Sequence, residues 1–176
     1  VTVIENANNL YNQNPGVAFV DGSGVAGYAD EFNWLLEFAD THDLSVPENF
    51  AWIESKLDLD SLIDLCAVRV FFNATDWPEN NIKLWRDTAP DGADARWHFV
   101  LLDTDWGMGM KQTTGPEMNL LFILLNYSNG TYTKDCPLTR LLHALRANRT
   151  FDEKLIARLW SLPGYLNADR LNEELD

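Results

Sequence analysis

Cysteine is scarce in this chain: 176 residues hold two, Cys66 and Cys136. Two thiols cannot build a multi-bridge disulfide framework or a zinc cage. Cys66 lies in an apolar helical run and reads as a small core side chain. Cys136 precedes Pro137 in a loop, and a single bridge between the two is left open. Basic residues are also few, with 13 Lys plus Arg against 27 Asp plus Glu and a formal charge of −14. Phosphate backbones and anionic lipid bind through clustered Lys and Arg, so this balance excludes a nucleic-acid partner. Long apolar runs are missing as well. The longest candidate, Leu120 to Leu125, falls far short of the ~18 residues of a membrane span, so none is expected. The three histidines, His42, His98 and His143, have no spacing that would pair them and read as structural. The chain opens Val-Thr-Val-Ile-Glu, without Met or a charged leader, and reads as a piece of a longer protein.

What is present is a globular composition. An apolar content of 46% and seven Trp supply a core and argue against disorder, and the length suits one domain over residues 1–176. The surplus carboxylate is mostly a solvated surface, unless part of it gathers to collect cations such as Mg²⁺ or Ca²⁺.

Residues 1 to 28 are rich in Asn and Gly and read as loops with edge strands. From Asp30 the spacing of Phe32, Leu35, Leu36 and Ala39 predicts a helix to about His42. A break at Leu44 to Glu48 leads into a second helix over Pro47–Ser55. The longest helix is expected over Asp60–Phe72, with Ser61 and Asp64 in capping-box spacing and Leu62, Ile63, Cys66 and Val70 on one face. A polar loop follows, Asn73 to Asn81. Ile82–Arg86 and Arg96–Leu102 read as a β-hairpin around a long turn, and beyond it comes Asp103-Thr104-Asp105-Trp106-Gly107. Helices are expected over Met118–Leu125, Pro137–Ala147 and Phe151–Leu162, with a short acidic one from Asn167.

Gly22-Ser23-Gly24-Val25-Ala26-Gly27 matches G-x-G-x-x-G literally. A dinucleotide site also needs a second parallel strand after the helix, ending in an acidic residue for the ribose. No such strand follows, so the run reads as a glycine turn. A stronger pattern joins two polar loops across the hairpin: Asp76 and Asn81 five apart after a long helix, then Asp103 and Asp105 after a strand. Phosphoryl transfer of the protein-kinase kind uses this set, with one Asp taking the acceptor hydroxyl proton, an Asn five residues on holding metal, and a later Asp bridging metal to phosphate.

At these residues the sequence resembles the spore coat protein H (CotH) family of secreted or surface-associated, kinase-like proteins. Leu59 to Asp64, Asn73 to Arg86 and Arg96 to Gly107 carry the likeness, through N-x-x-D-W-x-x-N-N, a strand ending in an aromatic and Arg, and W-x-F-x-x-x-D-x-D-x-x-M-G. The resemblance implies an α+β fold: a mainly helical, protein-kinase-like C-lobe with a small β-hairpin carrying the metal loop. It implies ATP with Mg²⁺ or Mn²⁺, and transfer to Ser or Thr of a surface or coat protein, outside the cytoplasm. By position, Asp76 would be the catalytic base and Asn81 a metal ligand. Asp103 would be the metal-binding and nucleotide-facing aspartate, since it leaves the strand first, and Asp105 a second ligand. Asn80 could stand in for Asn81 at the cofactor. Trp77 and Trp85 read as packing residues rather than adenine platforms.

Two departures stand out. Ala74-Thr75 replaces the His-Arg pair that precedes the usual kinase aspartate. Lys56 is the only Lys before Asp76, so the lobe that grips ATP is expected upstream, and the isolated chain is expected to transfer phosphate poorly. Two rivals remain: a surface or coat-assembly module that keeps the fold without the chemistry, and a hydrolase using Asp103 and Asp105 as paired carboxylates.

Overall fold

The computed structural model describes residues 2–5, 17–21, 24–27, 30–78, 80–86, 95–110, 118–128, 130, 133–167 and 169. Helix α1 (Asp30–Thr41) follows the spacing that predicts it, with Phe32, Leu35, Leu36 and Ala39 all buried. Helix α2 (Pro47–Glu54) starts on Pro47, whose missing N–H falls where no intrahelical partner exists anyway.

Helix α3 (Leu59–Phe72) buries Leu59, Leu62, Ile63, Leu65, Cys66, Ala67 and Arg69, which leaves little of its surface to solvent. A helix apolar on most faces belongs inside, and α3 is the central element. Its cap differs from the expected Ser61 box. Asp58 is the N-cap, its carboxylate accepting the amides of Asp60 and Ser61. The Ser61 hydroxyl is committed elsewhere, donating to the Asp58 carbonyl at 2.8 Å and accepting the Phe99 amide at 3.0 Å.

Strands β4 (Lys83–Arg86) and β5 (His98–Phe99) pair antiparallel, Leu84 opposite Phe99 and Trp85 opposite His98. The expected second strand, Arg96–Leu102, shrinks to two residues. Trp97 is taken by the chain ahead of α3, accepting the Asp58 amide and donating to Lys56 O, both at 2.8 Å. Residues 1–28 contribute the strands expected among their loops, β1 (Thr2–Glu5), β2 (Val17–Asp21) and β3 (Gly24–Gly27), with β3 at an edge and β1 and β2 inside the sheet instead of at its edge. The sheet order is β3-β2-β1-β4-β5, with β1 and β2 parallel and the other neighbours antiparallel. Gly24–Gly27 therefore runs back along β2 and opens no helix, against the dinucleotide reading.

Helix α4 (Leu120–Asn126) is capped by Asn119, and α5 (Pro137–Arg146) begins on Pro137. Helix α6 (Arg149–Tyr165), at 17 residues, outruns the 14 of α3 and corrects the expectation that α3 is longest. Asn148 starts it early by accepting the amides of Thr150 and Phe151, and it continues through Pro163 until Leu166 N–H meets Leu162 O. The acidic helix expected from Asn167 lies outside the described residues. Helix α3 packs against α6 and α1 against α5, around one cluster that includes Leu62, Trp97, Leu141 and Phe151. Both thiols are free and buried, and burial pushes Cys66 up to about 12. No described helix is long and apolar enough to cross a membrane. Among the described residues the architecture is mostly helical with one sheet, in line with the α+β expectation.

Candidate functional site

The first site loop is set by the end of α3. Asn73 closes the helix in the left-handed region, φ 52°, which Asn tolerates better than most residues. Its side-chain oxygen accepts the Leu120 amide at 3.3 Å, tying the loop to α4. Trp77 is 1% exposed and anchors the loop in the core, which is the packing role expected of it. Trp85 is partly exposed and stacks on His98, 4.5 Å between ring centres.

Between these anchors Asp76 is half-buried. Its backbone carbonyl accepts the Asn80 amide at 3.0 Å. Its carboxylate accepts a hydrogen bond at Oδ2 from the Asn81 side-chain amide, while Oδ1 is buried with no hydrogen-bond partner. Burial pushes the Asp76 carboxyl above its ordinary range; the charges of Arg69 and Lys134 pull it back and that of Asp103 adds to the rise. Asn81 is buried and left-handed at φ 59°. Asn80 is exposed. Of the two asparagines, Asn81 is the one whose side chain the fold brings to Asp76.

The second site loop also departs from expectation. Asp103 does not leave a strand directly, because β5 ends at Phe99; it sits four residues on, exposed, at φ 49°. The Asp105 amide approaches Asp103 Oδ1 at 3.5 Å. The Asp105 carboxyl is raised, first by its side-chain hydrogen bond with Asp103, and further by the charges of Asp103 and Asp76. Neither aspartate is on a strand, so their side chains are brought together by the loop and not by strand alternation. Gly107 lets this loop lie against the end of α3: a Cβ there would stand 2.5 Å from the Phe72 carbonyl oxygen, which accepts the Met108 amide at 2.7 Å.

Two buried cations hold these loops, Arg69 reaching both and Lys134 the first, and sequence reasoning missed both. Arg69, on α3, is 0% exposed. Its guanidinium donates to the backbone carbonyls of Asn81 (3.2 Å), Leu102 and Asp103. Charge-assisted bonds of this kind are worth about 1.5–3 kcal/mol each, which is how a guanidinium is kept out of water. Burial lowers the Arg69 pKa, and Asp76 and Asp103 raise it in compensation. Lys134, ahead of α5, donates from Nζ to the Thr75 carbonyl at 2.6 Å. The available signal for Arg69 was its place in Leu65-Cys66-Ala67-Val68-Arg69-Val70, the only Arg before Asp76. Nothing in sequence ties Lys134 to a loop 59 residues earlier.

The three histidines serve packing and hydrogen bonding, as expected. His98 Nδ1 lies 2.8 Å from Asp58 Oδ2, His143 meets the Leu124 carbonyl at 2.7 Å, and His42 stacks on Phe38.

The fold thus gathers Asp76, Asn81, Asp103 and Asp105 within electrostatic reach of one another. Among the described residues, no three His, Cys, Asp or Glu form a group that could hold a metal ion. A divalent cation would rest on Asp103, Asp105 and the Asn81 carbonyl-type oxygen, with phosphate or water completing the shell, a common arrangement for Mg²⁺. The family model described as CotH kinase protein matches residues 20–176. No curated protein and no solved structure matches the chain.

Proposed function

The chain belongs to the CotH kinase family, and from that premise we propose that it carries the catalytic loops of an ATP- and divalent-metal-dependent Ser/Thr protein kinase. The observation that supports this most is Asp76: one carboxylate oxygen is fixed by Asn81 and the other is buried and unengaged, beside the Asp103 loop. In the proposed reaction the acceptor hydroxyl gives up its proton to the Asp76 carboxylate. The hydroxyl oxygen forms a bond to the γ-phosphorus as the bond to the β,γ-bridging oxygen breaks, and ADP leaves. Asn81 holds Asp76 in line and, with Asp103 and Asp105, would hold Mg²⁺ or Mn²⁺. The cation supplies charge neutralisation at the phosphates.

Residues 1–176 are proposed as the C-lobe-like part of the kinase domain. Lys56, the one Lys before Asp76, is exposed on the turn after α2, so the ATP-gripping Lys is assigned to an upstream lobe. The acceptor is proposed as a Ser/Thr-rich surface or coat protein, of basic character given the −14 charge, in the extracytoplasmic, spore-coat setting of the family name. In the full-length protein, Asp103→Ala is expected to abolish transfer of radioactive phosphate to such an acceptor. Full retained activity would sink the assignment.

A second reading is a coat-assembly module with the fold and without the chemistry. It is favoured by the lack, among the described residues, of a preformed group of three metal-binding side chains. Calorimetry with ATP and Mn²⁺ on the full-length protein separates the two, since only the kinase binds both.

A further inference from the structure

We propose that Arg69 is the positioning residue of this site, a single buried fork that fixes the Asp76–Asn81 loop and the Asp103 loop relative to each other. The inference rests on the reading of those loops as kinase loops. Arg69 comes from α3, the helix buried on most of its faces, so its base is as rigid as any point in the molecule. One terminal nitrogen donates to Asp103 O; the other donates to Asn81 O and Leu102 O. One side chain thereby bonds to the backbone of both loops.

Two of those three carbonyls belong to residues held at positive φ, Asn81 at 59° and Asp103 at 49°. Left-handed backbone in a non-glycine residue persists where the surroundings over-determine it, and here the fork engages the carbonyl of each. The Asn81 and Asp103 side chains are thus aimed from fixed backbone. A lysine would keep the charge but present a point of donors instead of a planar fork, so Arg69→Lys isolates geometry from charge.

The test uses the full-length protein with Arg69→Lys and Arg69→Met, the second a neutral side chain of similar reach. Hydrogen exchange on the metal-free protein is read at the Asn80 amide in one loop and at the Gly107 and Met108 amides in the other. The Leu142 and Leu145 amides in α5 serve as the internal reference. Both variants are expected to exchange about tenfold faster or more in the two loops together, with α5 unchanged. A uniform rise across the molecule, or a rise in one loop alone, overturns the proposal. Where Met prevents folding, the Lys variant decides it. Steady-state kinetics give the second readout. A fall of about 10²-fold in kcat with little change in KM for ATP is expected, as for displaced catalytic groups. Wild-type kcat in both variants overturns the positioning role and leaves the kinase reading standing. Paired loop loosening in a protein whose wild type transfers no phosphate does the reverse.

Discussion

Asp76 carries two opposed demands, and they make it testable without knowing the acceptor. Its raised native pKa means that the folded chain holds that proton more tightly than the unfolded chain does. The stabilisation this gives is full below the ordinary aspartate value of about 3.9 and is lost as pH rises through the elevated native value. Asp76→Asn removes the titration. Its melting temperature relative to wild type is therefore expected to climb with pH across that window, and to stay at or above wild type at neutral pH. Phosphate transfer is expected to fall by about 10²- to 10⁴-fold, the usual span of general-base catalysis. Melting curves that differ by a constant at every pH would show that burial does not burden this carboxylate. Gly107 is constrained by space instead of charge. Gly107→Ala forces the Asp103–Asp105 loop off the end of α3, and a cost of about 1–3 kcal/mol in denaturant unfolding is expected. Sequence spacing named Asp76, Asn81, Asp103 and Asp105, because loop residues close in sequence keep their order. It preferred Asn81 by spacing but left Asn80 as a stand-in, since which side chain the turn directs inward is not written in the spacing.

At the scale of elements, the helices were the most legible part. The set Phe32, Leu35, Leu36 and Ala39 shows why: a period of 3.6 appears directly in sequence whenever one face is buried. Helix α3 was found from its apolar run, but its cap was misplaced by three residues, since Ser61 looks like a cap until Phe99 claims its hydroxyl. The true cap, Asp58, also meets His98 of β5 at 2.8 Å. It therefore joins helix start to hairpin. Asp58→Ala is expected to cost about 1–2 kcal/mol from the cap alone, and it also leaves His98 Nδ1 without its carboxylate. Asp58→Asn, which caps as well, should cost clearly less, and equal losses in urea unfolding would deny the cap its share. The strands were the least legible. β1, β2 and β3 lie in an Asn- and Gly-rich stretch with weak alternation, and the pairing of β1 with β4 joins residues about 80 apart in sequence. β5 shortened because backbone bonds to Lys56 and Asp58 claimed Trp97 first.

For the whole molecule, the surplus of 14 negative charges is the property that an acceptor of the proposed kind would meet first. With a basic protein as acceptor, KM should rise steeply when ionic strength goes from about 0.05 to about 0.5 M, while kcat stays nearly level. A KM indifferent to salt would remove charge from acceptor selection. Composition and spacing by themselves determined the helical segments, a cysteine count too low for a disulfide scaffold, the lack of an apolar run long enough to span a membrane, and two polar loops bearing a kinase-like order of Asp and Asn. These are local or summed properties, and sequence states them outright. Only the tertiary structure decided that Arg69, a lone cation in an apolar helix, reaches the carbonyls of both loops, and that Lys134 arrives from 59 residues away. A buried charge has no signature until the groups that compensate it are brought around it, and folding alone brings them.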